Sequence, residues 1–264
     1  MKNTLIAICS IAILIYSCKE EYDDQINTHA TQDHLLSEQT FSDVGRIVDE
    51  GFRTGVNNES YPFYNLMNNN TSDIDTLIIN FGTDYIDNQR LYTGKIITTY
   101  SGNHLDPLAV ITTTFDNYHV NRNLVQGERI VKNEGINSNG NTWFSILVNE
   151  ASITTLQNGT INWESNIISE WINGQNTYFD NSDDIYKISG TASGNAGNGN
   201  DFTVKITSPL EIDLGCYSSC LFKSGIAKIS QNGYDDRIID YGDSLCDCNF
   251  NLSIEGTNYP IMLN

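Results

Sequence analysis

The sequence is short of basic residues. Across 264 residues, Lys and Arg number 14 against 33 Asp and Glu, a formal net charge of −19. Nucleic-acid binding rests on Lys and Arg neutralising phosphates, so this balance argues against a nucleic-acid partner. Long apolar runs are also missing. Beyond the N-terminus no stretch reaches the ~18 residues of a membrane-spanning helix, which excludes a polytopic helical membrane protein. Charged residues make up only 18% and aromatics 10%, which sets the chain apart from disordered polyelectrolytes. Catalytic signatures are absent as well: there is no HExxH, GxSxG, Walker or dinucleotide-binding glycine pattern. The four histidines, His29, His34, His104 and His119, are scattered. Acidic residues are so abundant that no pair stands out as an acid–base couple. The chain therefore reads as non-enzymatic and without a cofactor, and a carboxylate-dependent hydrolase is kept as an alternative.

What the N-terminus does contain is an address. Lys2 is followed by an apolar run from Leu5 to Tyr16, which has the shape of a signal peptide. The run ends in Ile15-Tyr16-Ser17-Cys18, which resembles a bacterial lipobox. The chemistry asks for that order: a small residue before the cut, then a thiol nucleophile that takes the diacylglycerol. Residues 1–17 are accordingly read as a lipoprotein signal peptide, Cys18 as the acylated residue, and the mature chain as 264 − 17 = 247 residues. Acyl chains contribute about 0.8 kcal/mol per buried methylene, so two or three of them hold a protein on a membrane without a spanning segment. The next residues, Lys19-Glu20-Glu21-Tyr22-Asp23-Asp24, resemble the surface-export signal of Bacteroidetes lipoproteins. That resemblance implies an outer-membrane protein anchored at Cys18 and facing the cell exterior. The polar stretch 18–37 reads as a flexible acidic tether, and 38–264 as one domain.

Within that domain, Phe41, Val44, Ile47, Val48 and Phe52 recur at helical spacing, which predicts one short amphipathic helix over 38–53. Gly51 and Gly55 are plausible stop signals at its end. An Asn-rich loop over roughly 57–73 follows. From Asp75 onward the pattern is one of short β-type runs parted by Gly, Asn and Asp. Strict alternation is clearest in Phe202-Thr-Val-Lys-Ile206 and Phe250-Asn-Leu-Ser-Ile254, as on a sheet with one wet face. Asn158-Gly159, Asn173-Gly174 and Asn232-Gly233 suit tight turns between antiparallel neighbours, and Ser193 to Asn200 reads as a long polar turn. No helical segments intervene, so the fold class is all-β: an antiparallel meander of about twelve strands over 75–264. Alternation is shared by a sandwich, a curved open sheet or half-barrel, and a closed barrel.

Several motifs of this region carry a resemblance. They are Thr114-Phe115-Asp116-Asn117-Tyr118-His119-Val120-Asn121, Gly159-x-Ile161-x-Trp163, Ser224-Gly225-Ile226, and Ile239-Asp240-Tyr241-Gly242-Asp243 followed by Cys246-Asp247. Together they are similar to a family of Bacteroidetes outer-membrane lipoproteins with a late "DYGDGxCDN" signature. Ser244-Leu245 and Cys248 depart from that signature. The resemblance implies an all-β lipoprotein and no established reaction.

Cys216, Cys220, Cys246 and Cys248 form an even set in an exported protein, which reads as disulfides. Facing residues of an antiparallel pair keep a constant number sum. Cys220 with Cys246 gives 466 and Cys216 with Cys248 gives 464, whereas the other cross-pairing gives 462 and 468. The closer sums favour Cys220–Cys246 and Cys216–Cys248, and the family's usual pair matches Cys220 and Cys246. A tetrathiolate zinc site is the rival, but Cys-x3-Cys and Cys-x-Cys are not its usual knuckles. Asp180-Asn181-Ser182-Asp183-Asp184 has alternating oxygen ligands suited to calcium, but it reads more readily as a solvated turn, as does the set Asp240, Asp243 and Asp247. Trp143, Trp163 and Trp171 are candidates for an exposed aromatic platform for a glycan or protein partner, or else for core packing. The leading expectation is a lipid-anchored, non-catalytic binding or structural module. A glycan-binding or adhesion protein, a carboxylate-dependent hydrolase and a half-barrel carrier of apolar ligands are the alternatives.

Overall fold

The computed structural model describes residues 28–54, 60–67, 74–216 and 220–262. The expected signal peptide, Cys18 and the start of the expected tether lie outside these residues, as does Gly55. One helix, α1 (His29–Thr54), is followed by β1 (Phe63–Met67), β2 (Ile74–Asp87), β3 (Arg90–Ser101), β4 (Val110–Val120), β5 (Asn123–Ile136), β6 (Thr142–Thr154) and β7 (Thr160–Asn173). Then come β8 (Ile185–Asn195), β9 (Asp201–Asp213), β10 (Phe222–Ser230), β11 (Arg237–Asp243), β12 (Asn249–Ile254) and β13 (Thr257–Met262). Each strand pairs antiparallel with its neighbour in sequence, in one 13-stranded sheet that is not closed. The meander expected from the turn signals is therefore the fold.

The sheet curls around the helix. Glu38 and Asp43 lie five residues apart, about 7.5 Å along the helix axis. Yet Glu38 accepts a hydrogen bond from Tyr241 on β11, and Asp43 accepts one from Tyr92 on β3. In a flat sheet those strands would lie about 38 Å apart. Only a gutter wrapped around α1 brings them to one level of the helix. Register shifts between β2 and β3, β3 and β4, β4 and β5, β5 and β6, and β9 and β10 provide the local bends. The helix runs alongside β7 in the same direction: Phe41 stacks on Trp163 at 5.4 Å, and Arg53 lies over Trp171 at 5.5 Å.

Inner and outer faces follow the alternation. On β9, Phe202, Val204 and Ile206 are buried while Thr203 and Lys205 are exposed. At the C-terminal edge, β13 carries Pro260, which cannot donate to a further strand.

Three expectations about the bounds of the helix and the loop after it need correction. The helix begins at His29, so residues 29–37 are not tether; Thr31, Asp33, His34 and Ser37 are buried within it. These polar residues hid the helix from a hydrophobic-pattern reading, because the gutter supplies partners that a pattern cannot show. Gly51 is not a stop. It lies inside α1, where a Cβ would sit 2.9 Å from Leu77 Cδ2 and 3.1 Å from Tyr64 Cδ1, so its role is close approach of helix to sheet. The loop read over 57–73 contains β1, which pairs with β2.

The disulfides are Cys216–Cys246 and Cys220–Cys248, each with Cα atoms 5.3 Å apart, which is the pairing the number sums disfavoured. The ladder of β10 and β11 does keep the sum 466, at Ile226↔Asp240 and Ala227↔Ile239. But it shifts at a bulge and ends at Ser224↔Asp243, so no cysteine belongs to it. Cys220 and Cys216 instead close a turn, with Cys220 N–H donating to the Cys216 carbonyl, and Cys248 turns into the left-handed region at φ 54°. A register cannot be extended through such a loop. Non-reducing peptide mapping is expected to recover Cys216–Cys246 and Cys220–Cys248. With separations of 30 and 28 residues, deleting either bridge by paired Cys→Ser substitution is expected to lower stability by roughly 3–4 kcal/mol.

Candidate functional site

The curl leaves a gap. Between α1 and the inner faces of β4 to β9 lies a cleft of about 180 Å³. On the helix side its lining repeats at helical spacing: Glu38, Phe41, Ser42, Gly45, Asp49 and Phe52. On the sheet side Val131, Phe144, Ile146, Ile167 and Ile188 supply an apolar floor. The strand pleat puts these residues on the inner face, yet Val131, Phe144, Ile146 and Ile167 are only half-buried. Their exposure is to the cleft. Trp163 and Trp171 belong to its wall and are 4% and 5% exposed, while Trp143 stands on the opposite face of β6. The expected exposed platform of three tryptophans is therefore not formed, because strand parity sends two inward and one outward.

One end of the cleft is fixed by Arg53. Its Nε lies 2.6 Å from Asp49 Oδ2, and its Nη2 lies 2.6 Å from Asp184 Oδ2. A third donor reaches the Tyr178 carbonyl, and the guanidinium faces the Tyr178 ring at 4.6 Å. Trp171 Nε1 donates to Asp184 at 3.1 Å. Burial pushes the Asp184 carboxyl up to about 6 against the opposing pull of Arg53. His104 stacks on Phe52 at 4.1 Å, with Nε2 2.6 Å from the Tyr178 hydroxyl, and burial with Arg53 holds its pKa down at about 4. The β7–β8 connection is thereby tied to the C-terminal turn of α1.

This tie accounts for the acidic cluster at 180–184. Asp180 accepts from Ser182 N at 3.0 Å, Asp183 accepts from Thr177 Oγ1 at 2.8 Å, and Asp184 is the buried partner of Arg53. Asp240 and Asp247 likewise accept backbone N–H groups two residues on, from Gly242 and Asn249. Among the described residues no group of three or more His, Cys, Asp or Glu side chains is placed to hold a metal ion. His119 lies on β4 with Nδ1 2.8 Å from the Asn117 carbonyl, away from the cleft lining.

Glu38 and His34 were not singled out by sequence reasoning as a pair, although i and i+4 spacing on a helix places them on one face. Tyr241 donates to Glu38 Oε2 at 2.5 Å, and His34 Nε2 lies 3.5 Å from the same oxygen. Trp163 Nε1 donates to His34 Nδ1 at 3.4 Å. Burial raises the Glu38 carboxyl to about 7, against the Tyr241 hydrogen bond, and lowers the His34 imidazole to about 3.

In comparisons with protein-family models, curated proteins and solved structures, nothing matches this chain.

The Glu38–His34 pair has a pH signature. Glu38 keeps its proton in the fold up to about pH 7, whereas the unfolded chain loses it near 4.5. Its contribution is full below pH 4.5 and is lost as pH rises through 7. His34 acts in the opposite sense: unfolded it gains a proton below 6.5, folded only near 3, so its contribution is lost as pH falls. Between 4.5 and 6.5 folding moves one proton from imidazole to carboxylate with no net uptake. Glu38→Gln removes one half of the exchange. Its denaturation free energy, relative to the parent protein, is expected to rise with pH between 4.5 and 7 by up to about 1.4 kcal/mol per unit. A difference independent of pH would show that Glu38 is ionised in the fold.

Proposed function

We propose that this chain is a lipid-anchored protein of the outer membrane, facing the cell exterior, and that it acts as a non-catalytic binding module. Its ligand site is the cleft between α1 and the sheet, and its ligand is a small apolar molecule. The observation that carries this reading is the cleft itself: about 180 Å³, walled mainly by aliphatic and aromatic side chains. For scale, an engineered apolar cavity of ~150 Å³ stays dry and takes up benzene. The lipobox ending at Cys18 and the acidic run after it support the anchor and its outward orientation. Among the half-barrel, glycan-platform and hydrolase alternatives, the half-barrel carrier is the one whose requirement, an apolar cavity, has a counterpart in this geometry. A glycan platform would need exposed rings, and Trp163 and Trp171 are buried.

Filling the cleft tests the reading. Ser169 lines it and is 6% exposed. Ser169→Leu is expected to leave the free energy of denaturation within about 1 kcal/mol of the parent, because the added carbons enter existing space rather than overpack a full core. The same variant is expected to lose binding of 1-octanol by tenfold or more, read from tryptophan emission. Unchanged octanol binding, or none in the parent, would remove the cleft as a ligand site. For the anchor, Cys18→Ser is expected to shift the protein out of the lipid fraction. A variant that still fractionates with lipid would end the lipoprotein reading.

A further inference from the structure

The apolar cleft holds one group that an apolar ligand alone does not explain. Arg129, on β5, lines it from the sheet side. Its guanidinium lies close against the helix: a Cβ built at Gly45 would come within 2.6 Å of Nη2 and 3.0 Å of Cζ. Among the described residues, no hydrogen bond or ion pair joins Arg129 to another side chain, although it shares the enclosed space with Asp49. That carboxylate is engaged elsewhere, accepting from Arg53 Nε at 2.6 Å. Arg46, on the next turn of the helix, is committed in its turn to Asp43 and Glu50, both at 2.9 Å. Arg129 is thus a half-buried cation lining an apolar cleft, with donors that no protein side chain takes up and that an anionic group could accept. Burial draws its pKa down to about 10, with Asp49 opposing, so it is charged at neutral pH.

We infer that Arg129 is the head-group site of the cleft and that the ligand is a monocarboxylate with a compact apolar tail of about eight carbons. This rests on the cleft being a ligand site, and deepens that reading by naming the ligand's chemistry. The pleat sets the layout. Arg129 pairs with Val148, Val131 with Ile146, and Asn133 with Phe144, so the inner face of β6 carries Val148, Ile146 and Phe144 in three successive layers. Arg129 lies at the first layer, and the aliphatic walls extend about 13 Å from it to Phe144 and the connecting loops. A planar carboxylate matches the fork of a guanidinium with two parallel hydrogen bonds. A single negative charge is what one such arginine can offset beside Asp49, which makes a phosphate or a dicarboxylate a poor fit. The tail length follows from the volume, slightly above that of a cavity of ~150 Å³ that accepts the six carbons of benzene.

Gly45 belongs to the same device. A methyl there would push the guanidinium away from the helix while favouring helix formation by ~1 kcal/mol. It therefore separates loss of the head-group site from loss of the fold.

The test compares octanoate with 1-octanol at pH 7.5, with the full anchored chain in lipid nanodiscs and empty nanodiscs subtracted. Emission of Trp163 and Trp171 in the cleft wall is the readout. Octanoate is expected to bind at least tenfold more tightly than octanol. Arg129→Gln is expected to bring octanoate to the level of octanol and leave octanol unchanged. Gly45→Ala is expected to reduce the acid-over-alcohol preference several-fold with an unchanged or higher melting temperature, and it carries the test if Arg129→Gln does not fold. Equal affinity for acid and alcohol in the parent, or a preference that survives both substitutions, would overturn the assignment of Arg129 and leave the apolar site intact. Binding of neither compound would overturn the apolar site itself.

Discussion

A helix enclosed by a sheet keeps only a narrow wet stripe, and the rest of this structure depends on that constraint. An ordinary surface helix buries one stripe and leaves its polar residues to water. Here Asp33, His34, Glu38, Asp43 and Arg46 are all buried on α1. Each unmet polar group would cost on the order of 1–3 kcal/mol. Arg46 is met on the helix by Asp43 and Glu50, and the sheet answers the other four, with Gly197 N–H for Asp33, Tyr241 for Glu38, Tyr92 for Asp43 and Trp163 for His34. These partners come from β3, β7, β11 and the β8–β9 turn, so they also fix how tightly the sheet must curl. Thirteen strands joined only to their sequence neighbours have no closing pair, and the polar contacts with α1 replace the closure that a barrel would take from its first and last strands.

The same contacts explain which parts of the molecule were legible from the residues. The meander was, because antiparallel neighbours are specified locally: alternation on β9 and β12 and Asn-Gly turns need no knowledge of distant chain. The first third of α1 was not. Thr31, Asp33, His34 and Ser37 look like tether, and their burial becomes intelligible only when the concave face that receives them is in place. The cysteine pairing failed for a related reason. The ladder sum was right for β10 and β11, but it was carried past Ser224 and Asp243 into a segment that leaves the sheet. Strand parity, by contrast, sorted the three tryptophans without ambiguity once the inner face was known: Trp163 and Trp171 share it, and Trp143 does not.

The candidate site was the least legible feature, since it is made by what is missing. Ser42 and Gly45 interrupt the helical stripe that faces β5 to β8, and neither reads as functional in a sequence where Ser and Gly are common. Arg129 sits in a strand among other polar residues, and although Gly127-Glu128-Arg129 belongs to the family resemblance, nothing in that motif marks it as a ligand group. What distinguishes it is that no protein side chain takes up its donors, a property of three-dimensional placement alone. The signal open to a sequence reader was indirect: the cleft stripe on α1 runs Glu38, Phe41, Ser42, Gly45, Asp49, Phe52, and small residues occupy the middle of it.

The void asks for a physical reason. Protein interiors hold few gaps larger than a water molecule, and a cavity costs about 24 cal/mol per Å³ of unfilled space. At about 180 Å³ that scale gives up to about 4 kcal/mol, reduced by whatever water enters through the open side. Leu in place of Ser42 or Ser169 would fill much of it with ordinary packing. Two unfilled features therefore coincide at one place: an apolar gap, and a half-buried cation whose donors no protein side chain takes up. A ligand with an apolar body and one anionic end removes both at once. Local departures of this kind collect at functional sites, where an interaction absent from the empty protein offsets them. The outward face of the sheet carries a larger and more open depression, about 550 Å³, between β6 and β10, where the polar side chains of Asn166, Thr191, Thr203 and Lys205 are exposed.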